Sequence, residues 1–164
     1  KQYSAVIKTD KGDIRLELFD DEAPQTVNNF VFLARDGFYD GLTFHSVDPE
    51  LWAQAGDPEC KASGEVTCRS EGGPGYALPK ETNDKEHVAG SVAMAEQTDT
   101  HATNGSQFFI ALQDLPELSG HNTVFGQVAD EKSMDVVESL TAREWRDPNA
   151  PPGDEILSVT IEEE

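Results

Sequence analysis

Residues 41–58 read GLTFHSVDPELWAQAGDP. The stretch sets a histidine (His45), a tryptophan (Trp52) and a glutamine (Gln54) among apolar residues. That is the side-chain mix of a small-ligand cleft, with an apolar body to hold a ligand and a few polar groups to orient it. Electrophilic chemistry would need more. The stretch contains no Lys or Arg, and its carboxylates are Asp48, Glu50 and Asp57. A single His on a strand is often structural, and nothing flanking His45 marks it as a base or a metal ligand. Just beyond, Cys60 and Cys68 stand eight positions apart in the loop-like PECKASGEVTCRSEGGPG. The spacing is not C-x-x-C, and a structural zinc site on two cysteines would have to recruit distant histidine. The preferred reading is a local disulfide, which contributes about 2.5 kcal/mol in the chain-entropy model. It points to an oxidising compartment; two free thiols in a cytosolic loop are the other reading.

These groups need a scaffold. YSAVIKTDKGDIRLELF holds two alternating apolar runs around Asp10-Lys11-Gly12, a hairpin signal. In APQTVNNFVFLARDG, Pro24 suits a first helical turn, Val27, Phe30, Val31 and Ala34 repeat at helical spacing, and Gly37 closes the end. GLTFHSV and LWAQAG are short strand-like pieces, and residues 56–90 read as a long loop. GSVAMA (90–95), SQFFIAL (106–112) and TVFGQV (123–128) are strand candidates. SMDVVESL (133–140) reads as a second short helix capped by Ser133, and EILSVTIEEE closes as a strand. Many short strands with two separated helices predict a mainly β antiparallel barrel or sandwich with helices over its open ends.

The chain has 164 residues, which fits a single domain over 1–164 with a substantial core. Lys plus Arg number 12 and Asp plus Glu 32, for a net charge of −20. Such a surface repels phosphate backbones, so no nucleic-acid partner is expected. The carboxylates are spread along the chain and read as a solvated acidic surface rather than a cation site; no EF-hand loop pattern occurs. No run of about 18 apolar residues is present, so no helical membrane span is expected. The chain opens on Lys1-Gln2-Tyr3 with no signal-peptide pattern and no Met, which reads as a mature or trimmed domain.

Four segments go beyond composition: FYDGLTFH (38–45), GGPGY (72–76), NGSQFFI (104–110) and NTVFGQV (122–128). In this order and spacing the chain resembles the cyclophilin family of peptidyl-prolyl isomerases, most of all its bacterial single-domain members. The resemblance implies an eight-stranded antiparallel barrel closed by two α-helices, with a ligand groove on its outer face. It implies rotation of Xaa-Pro peptide bonds, no cofactor and no metal. The implied partners are proline-containing peptides or unfolded protein clients, met as a monomer. Several similar members are exported or lipid-anchored, so an extracytoplasmic or secreted location is expected, with the cytoplasm as the alternative.

Carried over position by position, the resemblance makes Phe44 and Phe109 aromatic groove residues, with Phe109 walling the proline pocket. Phe108, next in the strand, points to the opposite face. Gln54 and Gln107 match the amides that bond the substrate backbone. Ala95 and Leu118 match groove-lining positions, and His45 a histidine beside the site. The family's catalytic arginine directly follows that histidine; here the position is Ser46. Serine offers one short neutral donor where arginine offers a charged fork. Leu51 stands where the family has Phe, Trp52 where it has Met, and Asn122 where many members have His. Glu117 replaces a Trp linked to drug binding, which argues against tight cyclosporin binding. The expectation is a reduced or altered isomerase, with Ser46, or an arginine such as Arg69 from the long loop, donating the critical bond. A non-catalytic module that holds proline peptides is the alternative.

Overall fold

Alternating residues build the first hairpin of the protein, seen here in a computed structural model that describes residues 2–62 and 68–164. β1 (Tyr3–Thr9) and β2 (Gly12–Leu18) pair antiparallel, with Ile7 opposite Ile14 and Ala5 opposite Leu16. Those four residues and Leu18 are fully buried, as a period of two requires.

α1 (Pro24–Arg35) lays Val27, Phe30, Val31 and Ala34 into the core, together with Thr26 and Leu33. Its N-cap residue, Ala23, has no side chain able to cap. Glu81, from the distant loop, does the work: its carboxylate accepts from the backbone N–H of Gln25 (3.1 Å) and Thr26 (2.7 Å). A carboxylate there satisfies orphan donors and complements the helix dipole. α2 (Glu131–Ser139) starts before the expected residue 133, and its cap is Asp130 rather than Ser133. Asp130 accepts from the Ser133 N–H at 2.7 Å. The Ser133 hydroxyl instead accepts from the Arg15 backbone N–H at 2.9 Å and so ties α2 to β2.

The remaining strands are β3 (Thr43–Phe44), β4 (Ser46–Val47), β5 (Trp52–Ala55), β6 (Ala77–Leu78), β7 (Ser91–Glu96), β8 (Thr103–Ala111), β9 (Val124–Val128) and β10 (Asp154–Glu163). All pairings are antiparallel, in the order β3-β10-β1-β2-β9-β7-β8-β5-β4, with β6 beside β8 and off this path. The path ends on β3 and β4, which are separated in sequence by His45 alone. They act as one bent strand that pairs β10 through β3 and β5 through β4, and so join the two ends of the sheet. Counted that way, and without β6, the ten strands are the eight staves of the expected closed barrel.

β8 runs through the middle of this architecture and is buried along its whole length. Inward, Phe108 meets Phe30 edge-on at 5.7 Å, Tyr39 at 5.6 Å and Phe44 at 6.4 Å. Outward, Phe109 belongs to a separate small cluster with Ala93 and Val124, flanked by Phe19, Trp52 and Leu118. β5 approaches β8 closely at Gly56, whose φ is +99° and where any Cβ would collide with the Ser106 carbonyl. That approach sets the spacing of the two strands that carry the site.

Candidate functional site

Trp52 and Gln54 leave β5 on its outer face, and Gln107 and Phe109 leave β8 on the same face. The register explains it: Gln54 lies opposite Phe109, and side chains opposite each other or two apart in an antiparallel pair share a face. The Trp52 and Phe109 rings sit 5.2 Å apart. On the other side of Phe109, the buried His87 ring stacks at 6.4 Å. Burial lowers the His87 pKa, so this wall is neutral imidazole near pH 7.

The two glutamines form a polar strip beside the rings. Gln54 Nε2 donates to Gln107 Oε1 at 2.8 Å, and Gln107 Nε2 donates to the Gly72 carbonyl at 2.8 Å. Each amide is thereby held in one orientation; Gln107 is buried, and the half-buried Gln54 keeps hydrogen-bonding capacity for a ligand. Ser70 completes the strip. Its hydroxyl donates to Gln107 Oε1 (3.3 Å) and accepts from Gln54 Nε2 (3.4 Å). His45 Nε2 lies 2.9 Å from the same oxygen. The imidazole tautomer sets which of the two groups donates in this contact. Ser70 has a φ of 60°, an uncommon conformation for a residue with a side chain, held by this hydroxyl junction. His45 is fully buried; burial pushes its pKa down to about 4, against the pull of the nearby Asp57 carboxylate.

Above the strip lies a groove of about 470 Å³ lined by Trp52, Gln54, Ala95, Phe109, Leu118 and Asn122. An adjoining cavity of about 410 Å³ shares Gln54, Ser70 and Ala95 with it and adds Gln107. Asn122 is fixed by donating to the Met94 carbonyl at 3.0 Å. The groove also contains Arg69 and, from the segment between α2 and β10, Trp145 and Arg146. Arg143 anchors that segment. Its backbone pairs with Val47, its Nη1 donates to the His45 carbonyl at 2.7 Å, and its Nε donates to the Pro151 carbonyl at 2.8 Å. The Arg146 guanidinium lies over the Trp145 ring at 4.5 Å.

The structure therefore brings together Trp52, Gln54, Ala95, Gln107, Phe109, Leu118 and Asn122. Phe44 is a correction. It is fully buried in the main core against Phe108, because β3 turns it inward, and it walls no groove. Leu51 lies in the turn before β5, half-buried and outside both cavities' linings. Ser46 is half-buried opposite Gln54 in the β4–β5 pair, so the two side chains share a face, yet it lines neither cavity. Cys60 and Cys68 are joined by a disulfide with a Cα–Cα distance of 4.8 Å. The middle of their loop, residues 63–67, lies outside the described residues. Arg69, which follows Cys68 in this loop, is among the residues lining the groove. Sequence reasoning missed Ser70, Trp145 and Arg146. The available signal was REWR at 143–146, two arginines around a tryptophan in a cation-poor chain.

Residues 4–161 match the family described as cyclophilin type peptidyl-prolyl cis-trans isomerase/CLD. A peptidyl-prolyl cis-trans isomerase of Synechococcus elongatus is 47% identical over 160 residues, covering 96% of this chain and 94% of that protein. One from Helicobacter pylori is 43% identical over 145 residues, covering 85% and 81%. Among solved structures, a cyclophilin type isomerase of Cryptosporidium parvum superposes with a TM-score of 0.82 at 26% identity, covering 100% of this chain and 99% of the other. The same parasite protein was also solved in the presence of the dipeptide Ala-Pro and superposes with a TM-score of 0.81.

Proposed function

For a chain that belongs to the cyclophilin family of peptidyl-prolyl cis-trans isomerases, we propose that the Trp52–Phe109 groove rotates Xaa-Pro bonds in extended segments of protein clients. The observation that carries this reading is the Gln54–Gln107 amide strip beside the Phe109 ring.

The reaction breaks no covalent bond. The barrier, ~18–20 kcal/mol, is the loss of amide resonance as the C–N bond twists. A catalyst binds the twisted amide better than either planar form. In this groove the proline ring packs on Phe109, with Leu118, Asn122 and Ala95 around it. Gln54 and Gln107 bond the flanking backbone and hold one side of the peptide still while the other turns. The ring and the polar strip exclude water from one face, which strengthens each remaining dipole.

The electrostatic part differs from the family pattern. Ser46 supplies a neutral donor where a cation is expected. A charged donor contributes ~1.5–3 kcal/mol against ~0.5–1.5 for a neutral one. That difference corresponds to about one power of ten in rate. In this reading Arg69 and Arg146 bring cationic donors to the groove, beside the carboxylates of Glu71 and Glu96 that also line it. The neutral Ser46, outside the groove lining, favours a second reading, a module that binds proline peptides without turning them over. The Cys60–Cys68 bond supports an oxidising, extracytoplasmic location.

Proline exchange measured by NMR on an Ala-Pro peptide tests the proposal. The parent should exchange the peptide well above background. The Arg69→Ala/Arg146→Ala double variant should lose about tenfold in kcat/KM, and Ser46→Arg should gain about tenfold or less. Saturable peptide binding by the parent with exchange at the uncatalysed rate would establish the second reading and overturn the first.

A further inference from the structure

Beneath the groove, on the inner side of Ser70, lies a group of side chains that isomerisation does not use. One ring nitrogen of His45, one carboxylate oxygen of Asp57 and the sulfurs of Cys60 and Cys68 all lie within 4.8 Å of one another. His45, Asp57 and Cys60 are buried, and Cys68 is half-buried.

Two features show unspent bonding capacity. His45 Nδ1 is buried without a hydrogen-bond partner, while Nε2 is engaged by Ser70. The Asp57 carboxylate is fully buried and accepts from two backbone N–H groups, those of Glu59 at 2.9 Å and Gly72 at 3.2 Å. No Lys or Arg among the described residues forms an ion pair with it. A buried carboxylate without a cation is costly, and a metal ion relieves that cost.

We infer that reduction of the Cys60–Cys68 bond creates a zinc site in which the two thiolates, His45 Nδ1 and an Asp57 oxygen are the ligands. A dithiol reductant delivers two electrons and two protons to the bond and becomes a disulfide itself. Each cysteine sulfur then carries one proton, and Zn²⁺ displaces both on binding. Zinc–sulfur bonds of ~2.3 Å and zinc–nitrogen bonds of ~2.0 Å place tetrahedral ligand atoms roughly 3.3–3.8 Å apart. The four groups already lie within about an ångström of that spacing once the sulfurs part. Two thiolates and an imidazole select zinc over calcium or magnesium, which require oxygen ligands. The Nε2–H bond to Ser70 is the outer-shell contact that a ligating histidine needs, and it connects the metal to the Gln54–Gln107 strip. The site is therefore exclusive with the disulfide: oxidised protein is stapled, reduced protein is metal-clamped. The inference rests on the cluster alone and stands whether or not the groove turns over proline.

Cobalt(II) tests it, because tetrahedral thiolate coordination gives visible absorption that zinc then bleaches. The full chain, reduced with a phosphine and desalted without air, should take up one equivalent of Co²⁺ with those bands. That uptake should release two protons, and Zn²⁺ should then displace the cobalt and bleach the bands with no further proton release. The oxidised chain should show neither. Asp57→Asn and His45→Gln should each weaken Zn²⁺ binding about tenfold or more. Absence of thiolate–cobalt bands in the reduced parent overturns the inference. So does unchanged affinity in both variants, which would mean that the two thiols alone capture metal. Should His45→Gln fail to fold, the proton release of the parent and the Asp57→Asn affinity decide the matter.

Discussion

Phe108 and Phe109 are neighbours in the chain with opposite surroundings. Phe108 faces into the barrel, where Phe30, Tyr39 and Phe44 meet it at ring distances of 5.6–6.4 Å. Phe109 faces out, against Trp52, Ala93 and Val124, with a groove beside it. The inner face is closed by aromatic contacts on every side and leaves a side chain no work but packing. The outer face has its apolar floor bordered by amides, a serine, two arginines and two glutamates, and a ligand can complete it. One strand thus divides stability from recognition with a period of two.

The comparison breaks most easily at Phe108. Phe108→Ala should cost about 4 kcal/mol in urea unfolding, with the groove losing activity only in so far as the fold is lost. Phe109→Ala should do the reverse. It should cost less stability than Phe108→Ala and lower kcat/KM on a proline peptide by about a hundredfold, an expectation read from its place on the groove floor. Equal stability losses in the two variants would contradict the division. Gly56→Ala should lie between them. It pushes β5 off β8, so both stability and peptide affinity should fall, the first by about 2–3 kcal/mol in urea unfolding. Reduction of the disulfide in the absence of metal should lower stability by about 2.5 kcal/mol and leave the inner face intact, as judged by near-ultraviolet circular dichroism. The smallest effect is a titration. His87, stacked on Phe109, has its pKa lowered by burial, so the unfolded chain takes up a proton before the folded chain does. Stability should therefore be full above pH ~6.5 and decline as the pH falls toward the folded pKa. Urea midpoints at several pH values should show a shallower decline in His87→Gln than in the parent.

Some of this was legible in the sequence because it is local. The alternation in β1, β2 and β8, the helical spacing in α1 and the opposed fates of Phe108 and Phe109 all follow from backbone geometry over a few residues. The glutamines and Phe109 were found through motif order, which locates positions on a known architecture. Phe44 was misread on the same grounds. Its motif position was right, but which side of a two-residue strand faces the core depends on the β10 and β5 pairings on either side of it. Ser133 was misread as a cap because the helix begins two residues earlier: Asp130 caps it by accepting from the Ser133 N–H, which places Ser133 inside the first turn. Arg146 was invisible for a longer-range reason. The Arg143 anchor, through its backbone pairing with Val47 and its bond to the His45 carbonyl, brings that segment to the groove.

By itself the amino-acid sequence determined the barrel's alternating strands, the helical face of α1 and the opposite facing of Phe108 and Phe109. These are properties of residue type and period, which act over the span of one strand or one helical turn. The tertiary structure alone decided what covers the groove and what lies under it: Ser70 as the junction of three polar side chains, Arg146 on Trp145, Glu81 capping a helix 55 residues away, and His45, Asp57 and two cysteines gathered within bonding reach. Those contacts join segments whose separation in the chain carries no local signal, and they exist only because closing the sheet through β3 and β4 brings its two edges together.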